Sequence, residues 1–371
     1  MTCWKVAISR LLSLPIRVDD VDMNSRDFFH THAVTHLREH YSAAGAVCSL
    51  STNCQELLKA ARASFLPVET PAEPVDFSLR LWVDDANSAQ PPWPKPYVRG
   101  LGQHVFIGFD SDSSMLADVG ERRVIGRFSA AMAKDTTYWK TVIFPMLLSV
   151  IAGSVGLLEL HASCVARDQD GLVLLGSSRA GKSTLAMALT GAGFRLLSDD
   201  RTFCSLKEGK LSAHGLPRPL KLRRDAANWF EEFRDQEPGA VQNGERVFYC
   251  EPNRFGGQQG LPACEPRALL FLERQTSSRF SLIQLGRDEV RSRIERDLLA
   301  ETPEAIEKQE QTLENLLAVP SWQLLYGGGP QAIADQLEMA FFSGAEWSQP
   351  GSSKPGSSKP GSSQPGSSQS H

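Results

Sequence analysis

One octapeptide limits the folds open to this chain more than any other feature. Gly176, Ser177, Ser178, Arg179, Ala180, Gly181, Lys182 and Ser183 fit the pattern G-x-x-x-x-G-K-[ST], and Thr184 extends it. The apolar residues 172–175 before it predict a short buried strand, and residues 183–192 after it predict a helix. A loop between such elements aims successive backbone N–H groups at one point, and its glycines allow the dihedrals this requires. The helix start adds the positive end of its dipole. Lys182 supplies a cation for β- and γ-phosphates, and the Ser183 hydroxyl can ligate Mg²⁺. Residues 176–184 therefore predict a site for a nucleoside triphosphate, with ATP and Mg²⁺ as the expected cofactors.

A second motif follows closely. Residues 194–198 read as a strand ending in Asp199 and Asp200, only 17 residues beyond Lys182. Both loops are expected at one edge of the sheet, where ligands collect in open α/β folds. One carboxylate can complete a Mg²⁺ shell with Ser183, and its neighbour can accept a proton from an attacking hydroxyl. His161 stands just before the strand that leads to the loop. His32, His36 and His40 recur every fourth residue, but a solvated face explains them better than a metal set.

Residues 1–135 read as a smaller α+β domain without a chemical signature. Its expected elements are a helix over 27–44, a half-buried strand over 75–83 and extended runs at 105–109 and 124–128. Residues 90–96 hold four prolines and must form a loop. From 136 to 343 strands alternate with helices, which predicts an α/β P-loop domain. Strands are expected at 268–272, 280–285 and 323–326, and helices at 224–234, 288–299, 303–317 and 331–342. Residues 344–371 carry Pro-Gly-Ser-Ser repeats with nothing to bury, so a disordered tail is expected.

Charge and cysteine content narrow the function classes. The net charge is −4, and −6 without the two tail lysines, which disfavours a nucleic-acid binder. Seven cysteines, none in Cys-x-x-Cys spacing, form neither a disulfide framework nor a zinc knuckle, and a reducing cytoplasm is the expected setting. Residues 141–158 carry no charge, but Pro145, Gly153 and Gly156 interrupt them. A core helix running into a buried strand is expected there, not a membrane span.

Residues 160–162, 176–184 and 197–200, in this order and tight spacing, resemble the catalytic domain of HPr serine kinase and its relatives. That family has a P-loop core similar to phosphoenolpyruvate carboxykinase. The resemblance implies Lys182 on the β- and γ-phosphates, Ser183 with Asp200 on Mg²⁺, Asp199 as catalytic base and His161 beside the phosphates. Bacterial HPr kinases usually have Lys-Ser-Glu where this chain has Lys182, Ser183 and Thr184. Their Glu-containing, Gly-rich signature is replaced by residues 214–223. The stretch 217–222 looks more like the HPr-kinase-related proteins of ribosomal-peptide biosynthesis, among which lasso-peptide kinases phosphorylate a serine near the precursor's C-terminus. Arg218, Lys221 and Arg223 would then meet a carboxylate or phosphate of the substrate. The resulting expectation is a serine kinase acting on a peptide or small protein, with no nucleic-acid or membrane partner, in a family whose members often form multimers. A small-molecule kinase and a non-catalytic nucleotide-binding module are its alternatives.

Overall fold

The computed structural model describes residues 35–343, apart from 70–73, 85–89, 217, 243–244, 251–262, 278 and 296–302. Alternation of apolar and polar residues builds the first sheet. Its strands are β1 (Leu37–Ala43), β2 (Ala46–Thr52), β3 (Leu66–Val68), β4 (Phe77–Asp84), β5 (Tyr97–Leu101), β6 (His104–Gly108), β7 (Ser114–Asp118) and β8 (Arg123–Ser129). They lie in the order β3-β1-β2-β4-β8-β7-β6-β5. In β4, Phe77, Leu79 and Leu81 are buried while Ser78 and Arg80 between them are half-buried, as a period of two requires. Helix α1 (Gln55–Arg62) buries Leu57, Leu58, Ala60 and Ala61 in the same core.

The uncharged segment completes this core. A π-turn (Trp139–Ile143) leads into α2 (Phe144–Ile151), then a 3₁₀ turn (Gly153–Val155) and the short strand β9 (Leu158–Leu160). Trp139 stacks edge-on against Phe128 at 4.6 Å, and Phe144 meets Phe65 at 4.8 Å. The Trp139 indole N–H donates to the Met132 carbonyl, so its burial leaves no orphan donor. Among the described residues, no helix is long and apolar enough to cross a membrane.

The helix expected over 27–44 is corrected where it is described: residues 37–43 are strand β1, and 27–34 lie outside the described residues. The reason is arithmetic. Leu37 and Tyr41 are four residues apart, a spacing that fits one face of a helix and equally one face of a strand. Ala44 (φ 51°) and Gly45 (φ 89°) decide the matter, since two consecutive positive φ values make the tight turn that closes a two-residue hairpin.

The second sheet holds β9, β10 (Ser163–Arg167), β11 (Asp170–Leu175), β12 (Arg195–Ser198), β13 (Thr202–Lys207) and β14 (Lys210–His214). After a separate three-stranded sheet of β15 (Leu220–Arg223), β16 (Ala240–Gln242) and β17 (Glu245–Cys250), the chain returns to it as β18 (Ala263–Arg274), β19 (Ser281–Gln284) and β20 (Ser321–Tyr326). Its centre is parallel, β11-β18-β20, while β10 runs antiparallel between β11 and β12. Strand β11 therefore has helices on both faces. Leu172 and Leu174 pack with α3 (Lys182–Gly191), and Val173 and Leu175 with α4 (Arg287–Ile294) and α5 (Pro303–Leu316). Helix α6 (Pro330–Phe342) lies beside α3, in the same cluster. The fold is mixed α/β.

The helix expected over 224–234 is a single turn, Arg224–Ala227, followed by a 3₁₀ turn, Glu231–Phe233. Phe230 between them is extended, which lets Phe233 stack on Phe248 at 5.0 Å. Tertiary packing overrides a weak helical preference there. The tail and residues 253–260 lie outside the described residues.

The two sheets share core residues, since Phe203 and Leu216 pack in the first sheet's cluster. They also touch at the β1–β2 hairpin tip. A Cβ on Gly45 would stand 2.6 Å from the His214 ring, and Lys207 donates to the Gly45 carbonyl at 2.6 Å.

Candidate functional site

The loop 176–181 joins β11 to α3, as its sequence requires. Gly176 has φ 144° and Gly181 φ 93°, both in the region that L side chains rarely enter. Space is equally restrictive: a Cβ on Gly176 would lie 2.9 Å from the Leu272 carbonyl oxygen, and one on Gly181 2.3 Å from the Tyr326 hydroxyl. That hydroxyl donates a short hydrogen bond to the Ala180 carbonyl. Burial pushes the Tyr326 phenol up to about 12, so it stays a donor across the physiological range. Tyr326, at the end of β20, fastens the loop from behind.

Lys182 is only 8% exposed, and its ammonium donates to the carbonyls of Gly176 (2.7 Å) and Ser177 (3.3 Å). Ser183 sits in the first turn of α3, and its Oγ donates to Asp199 Oδ1 at 2.8 Å. The same oxygen accepts from Ser163 Oγ at 2.8 Å, while Asp199 Oδ2 accepts the Lys221 backbone N–H at 2.9 Å. Sheet pairing makes this possible: Cys164 stands opposite Ser198, which brings the start of β10 beside the end of β12. Asp199 is 6% exposed. Burial raises its carboxyl pKa against the pull of the three donors, and the charge of Asp200 adds to the rise.

Asp200 faces elsewhere. It has φ 72°, its side chain is 56% exposed, and Oδ1 lies 3.5 Å from His161 Nδ1. The hydroxyl of Ser183, expected beside Asp200, is thus bonded to Asp199 instead. A cleft of about 620 Å³ opens at this edge. His161, Gly176, Ser177, Phe271, Ile294 and Gln323 are among the residues that line it. Its size suits a nucleoside or a substrate segment.

The three expected substrate cations separate. Lys221 uses its backbone on Asp199, and Arg223 ends β15. Arg218 is half-buried and donates Nη2 to the Thr141 carbonyl at 3.1 Å, on the π-turn of the first sheet's core. Arg201 nearby is held by Glu159 (2.8 Å) and by the Ser149 hydroxyl.

The donor set fits a hard cation: the Ser183 hydroxyl and an Asp199 carboxylate oxygen lie 2.8 Å apart at a phosphate-binding loop. Among the described residues, no group of three or more His, Cys, Asp or Glu side chains forms a metal cage. Sequence reasoning missed Ser163 and Tyr326, because neither stands in the motif and only sheet order brings them to it.

No family model matches the chain, and no curated protein matches it. Among solved structures, the chain is similar to the HPr(Ser) kinase/phosphatase from Coxiella burnetii. The identity is 14% and the TM-score 0.26, over 49% of this chain and 94% of that one.

Proposed function

We propose that the chain is a Mg²⁺- and ATP-dependent kinase that phosphorylates a hydroxyl, namely a serine of a peptide or small protein. The observation that carries this reading is the Ser183–Asp199 hydrogen bond of 2.8 Å, set at the helix end of a loop with Gly176 and Gly181 in left-handed backbone. Ser183 and Asp199 would hold Mg²⁺, which binds few protein ligands and keeps waters and substrate phosphates for the rest of its shell. When bound, the ion would offset charge on the β- and γ-phosphate oxygens.

This exchanges the two acids relative to the allotment that the resemblance implies. Asp200, exposed beside His161, becomes the group that draws the acceptor's proton. Lys182 turns from the Gly176 and Ser177 carbonyls to the phosphoryl oxygens, and the N–H groups at the start of α3 orient the phosphates. In transfer, the bond from the acceptor oxygen to the γ-phosphorus forms as the bond to the β–γ bridging oxygen breaks. The hydroxyl proton passes to Asp200, and ADP leaves.

The test incubates the full chain with Mg²⁺ and γ-labelled ATP, against serine peptides and against amino acids and sugars. Label on a peptide serine is the expected result. Label on small molecules alone replaces the acceptor class but keeps the kinase. ATP binding without transfer to any acceptor leaves a nucleotide-binding module, and absence of ATP binding removes the reading altogether.

A further inference from the structure

Arg218 has a feature that none of the other cations near the site shares. Its Nη1 is buried and has no hydrogen-bond partner among the described residues, and no carboxylate lies within ion-pair distance of it there. The neighbouring Arg201 is matched by Glu159. Arg218 is held by one neutral carbonyl, that of Thr141. The charge of Arg201 repels it, and those of Asp200 and Asp199 act on it only through space. A half-buried guanidinium with one fork arm unpaired is costly unless an anion completes it.

Position decides which anion. The nucleotide side of Asp199 is Ser183 and the loop, which carries its own cation, Lys182. On its other oxygen Asp199 accepts the N–H of Lys221, three residues beyond Arg218. Arg218 in turn reaches the carbonyl of half-buried Thr141, on the π-turn whose Trp139 and Ile143 pack in the core of the first sheet. The acids therefore stand between the phosphate loop and Arg218, so the guanidinium lies where the acceptor must approach.

We infer that Arg218 is the specificity-determining residue of the acceptor site, and that it binds an oxyanion, carboxylate or phosphate, carried by the acceptor close to its reacting hydroxyl. This rests on the kinase reading above for the identity of the site, but not for the anion itself. The planar fork of arginine takes two oxygens of such a group at once, which a lysine cannot.

The test uses the full chain and three peptides that end in the same serine. One has a free terminal carboxylate, one is amidated, and one is amidated with a phosphoserine just before the last serine. With Mg²⁺-ATP, at least one charged peptide should exceed the neutral amide by about 10- to 100-fold in kcat/KM, mainly through KM, as a charged hydrogen bond is worth. Whichever charged peptide wins identifies the source of the oxyanion. In Arg218→Gln the advantage should shrink to within about twofold, and in Arg218→Lys part of it should remain. Affinity for a non-hydrolysable ATP analogue should be unchanged in both variants, which shows that the fold and the nucleotide site persist.

Equal use of charged and neutral peptides by the wild-type chain would overturn the inference. So would an advantage that survives Arg218→Gln, including the case where all rates fall together, which would assign Arg218 to the transferred phosphoryl group. If no peptide is phosphorylated, the peptide-acceptor part of the kinase reading fails separately. Direct binding of the same peptides, labelled with a fluorophore, then decides: an Arg218-dependent preference for charge upholds the inference, and no preference ends it.

Discussion

In the first sheet the buried polar residues, among those described, are Ser49, Thr52, Ser64, Ser113 and Ser129, whereas the second sheet also buries Lys182, Asp199 and His214. A hydroxyl is satisfied by one or two local bonds: Ser64 donates to the Ala60 carbonyl, and Ser129 caps the turn at Met132. A buried charge needs several partners and still costs several kcal/mol against an apolar residue of similar volume. The second sheet carries that cost at the end of β12 and at the phosphate loop. The difference separates a region built for packing from the one that holds the candidate site.

The comparison breaks most visibly if the acids do not behave as proposed. Asp200→Asn should lower transfer by about 10²- to 10⁴-fold, the usual worth of a general base, with ATP affinity and melting temperature kept. Asp199→Asn should instead weaken the Mg²⁺ dependence of nucleotide binding. Calorimetry with and without Mg²⁺ separates the two, and the reverse pattern restores the first allotment. Lys182→Ala should lower transfer by about 10²- to 10³-fold by removing a charge stabiliser, again at nearly constant melting temperature.

The opposite split is expected in the first sheet. Phe128 is fully buried against Trp139 and Phe109, so Phe128→Ala should cost about 3–5 kcal/mol of stability. Below the new melting transition, kcat/KM should stay within about twofold of the wild-type value. A specific loss of activity in the folded variant would show that the first sheet does more than pack.

The smallest effect is the most diagnostic of burial. Because the folded-state pKa of Asp199 is raised, the folded chain binds this proton more tightly than the unfolded chain. Its contribution to stability is fully present below the unfolded value of about 3.9 and is lost as pH rises through the folded pKa. Asp199→Asn does not titrate. Its melting temperature should therefore gain on the wild type as pH rises from 4 to 8, at about 2–4 °C per kcal/mol. A gap that narrows with rising pH would show that the three donors outweigh burial.

Much of the second sheet was legible because its signals are local. The strand, loop and helix of residues 170–191 follow from one motif, and the strand ending at Asp199 follows from a short apolar run. The 18 uncharged residues read correctly as core because Pro145 and the glycines punctuate them. What escaped depends on strand order. Ser163 reaches Asp199 only because β10 pairs with β12, and Tyr326 reaches Ala180 from 146 residues away. Which aspartate Ser183 would bond was not legible for a related reason: adjacent aspartates look alike in sequence, and Asp199 is turned inward while Asp200, in left-handed backbone, faces out.

The contact between Gly45 and His214 also bears on how such a chain can be recombined. The hairpin tip sits so close to the imidazole that no side chain fits between them, and the ring is held from behind by the Ser205 hydroxyl at 2.9 Å. His214 is followed by Gly215, whose own missing side chain lets the chain pass against the Leu197 carbonyl on its way to Arg218. A first sheet borrowed from elsewhere would have to present a bare backbone at that one spot. Otherwise it would displace the histidine and, with it, the segment that carries the arginine. The junction is thus a matched set, and a swap of the amino-terminal half should succeed only when the hairpin travels with the residues it rests on.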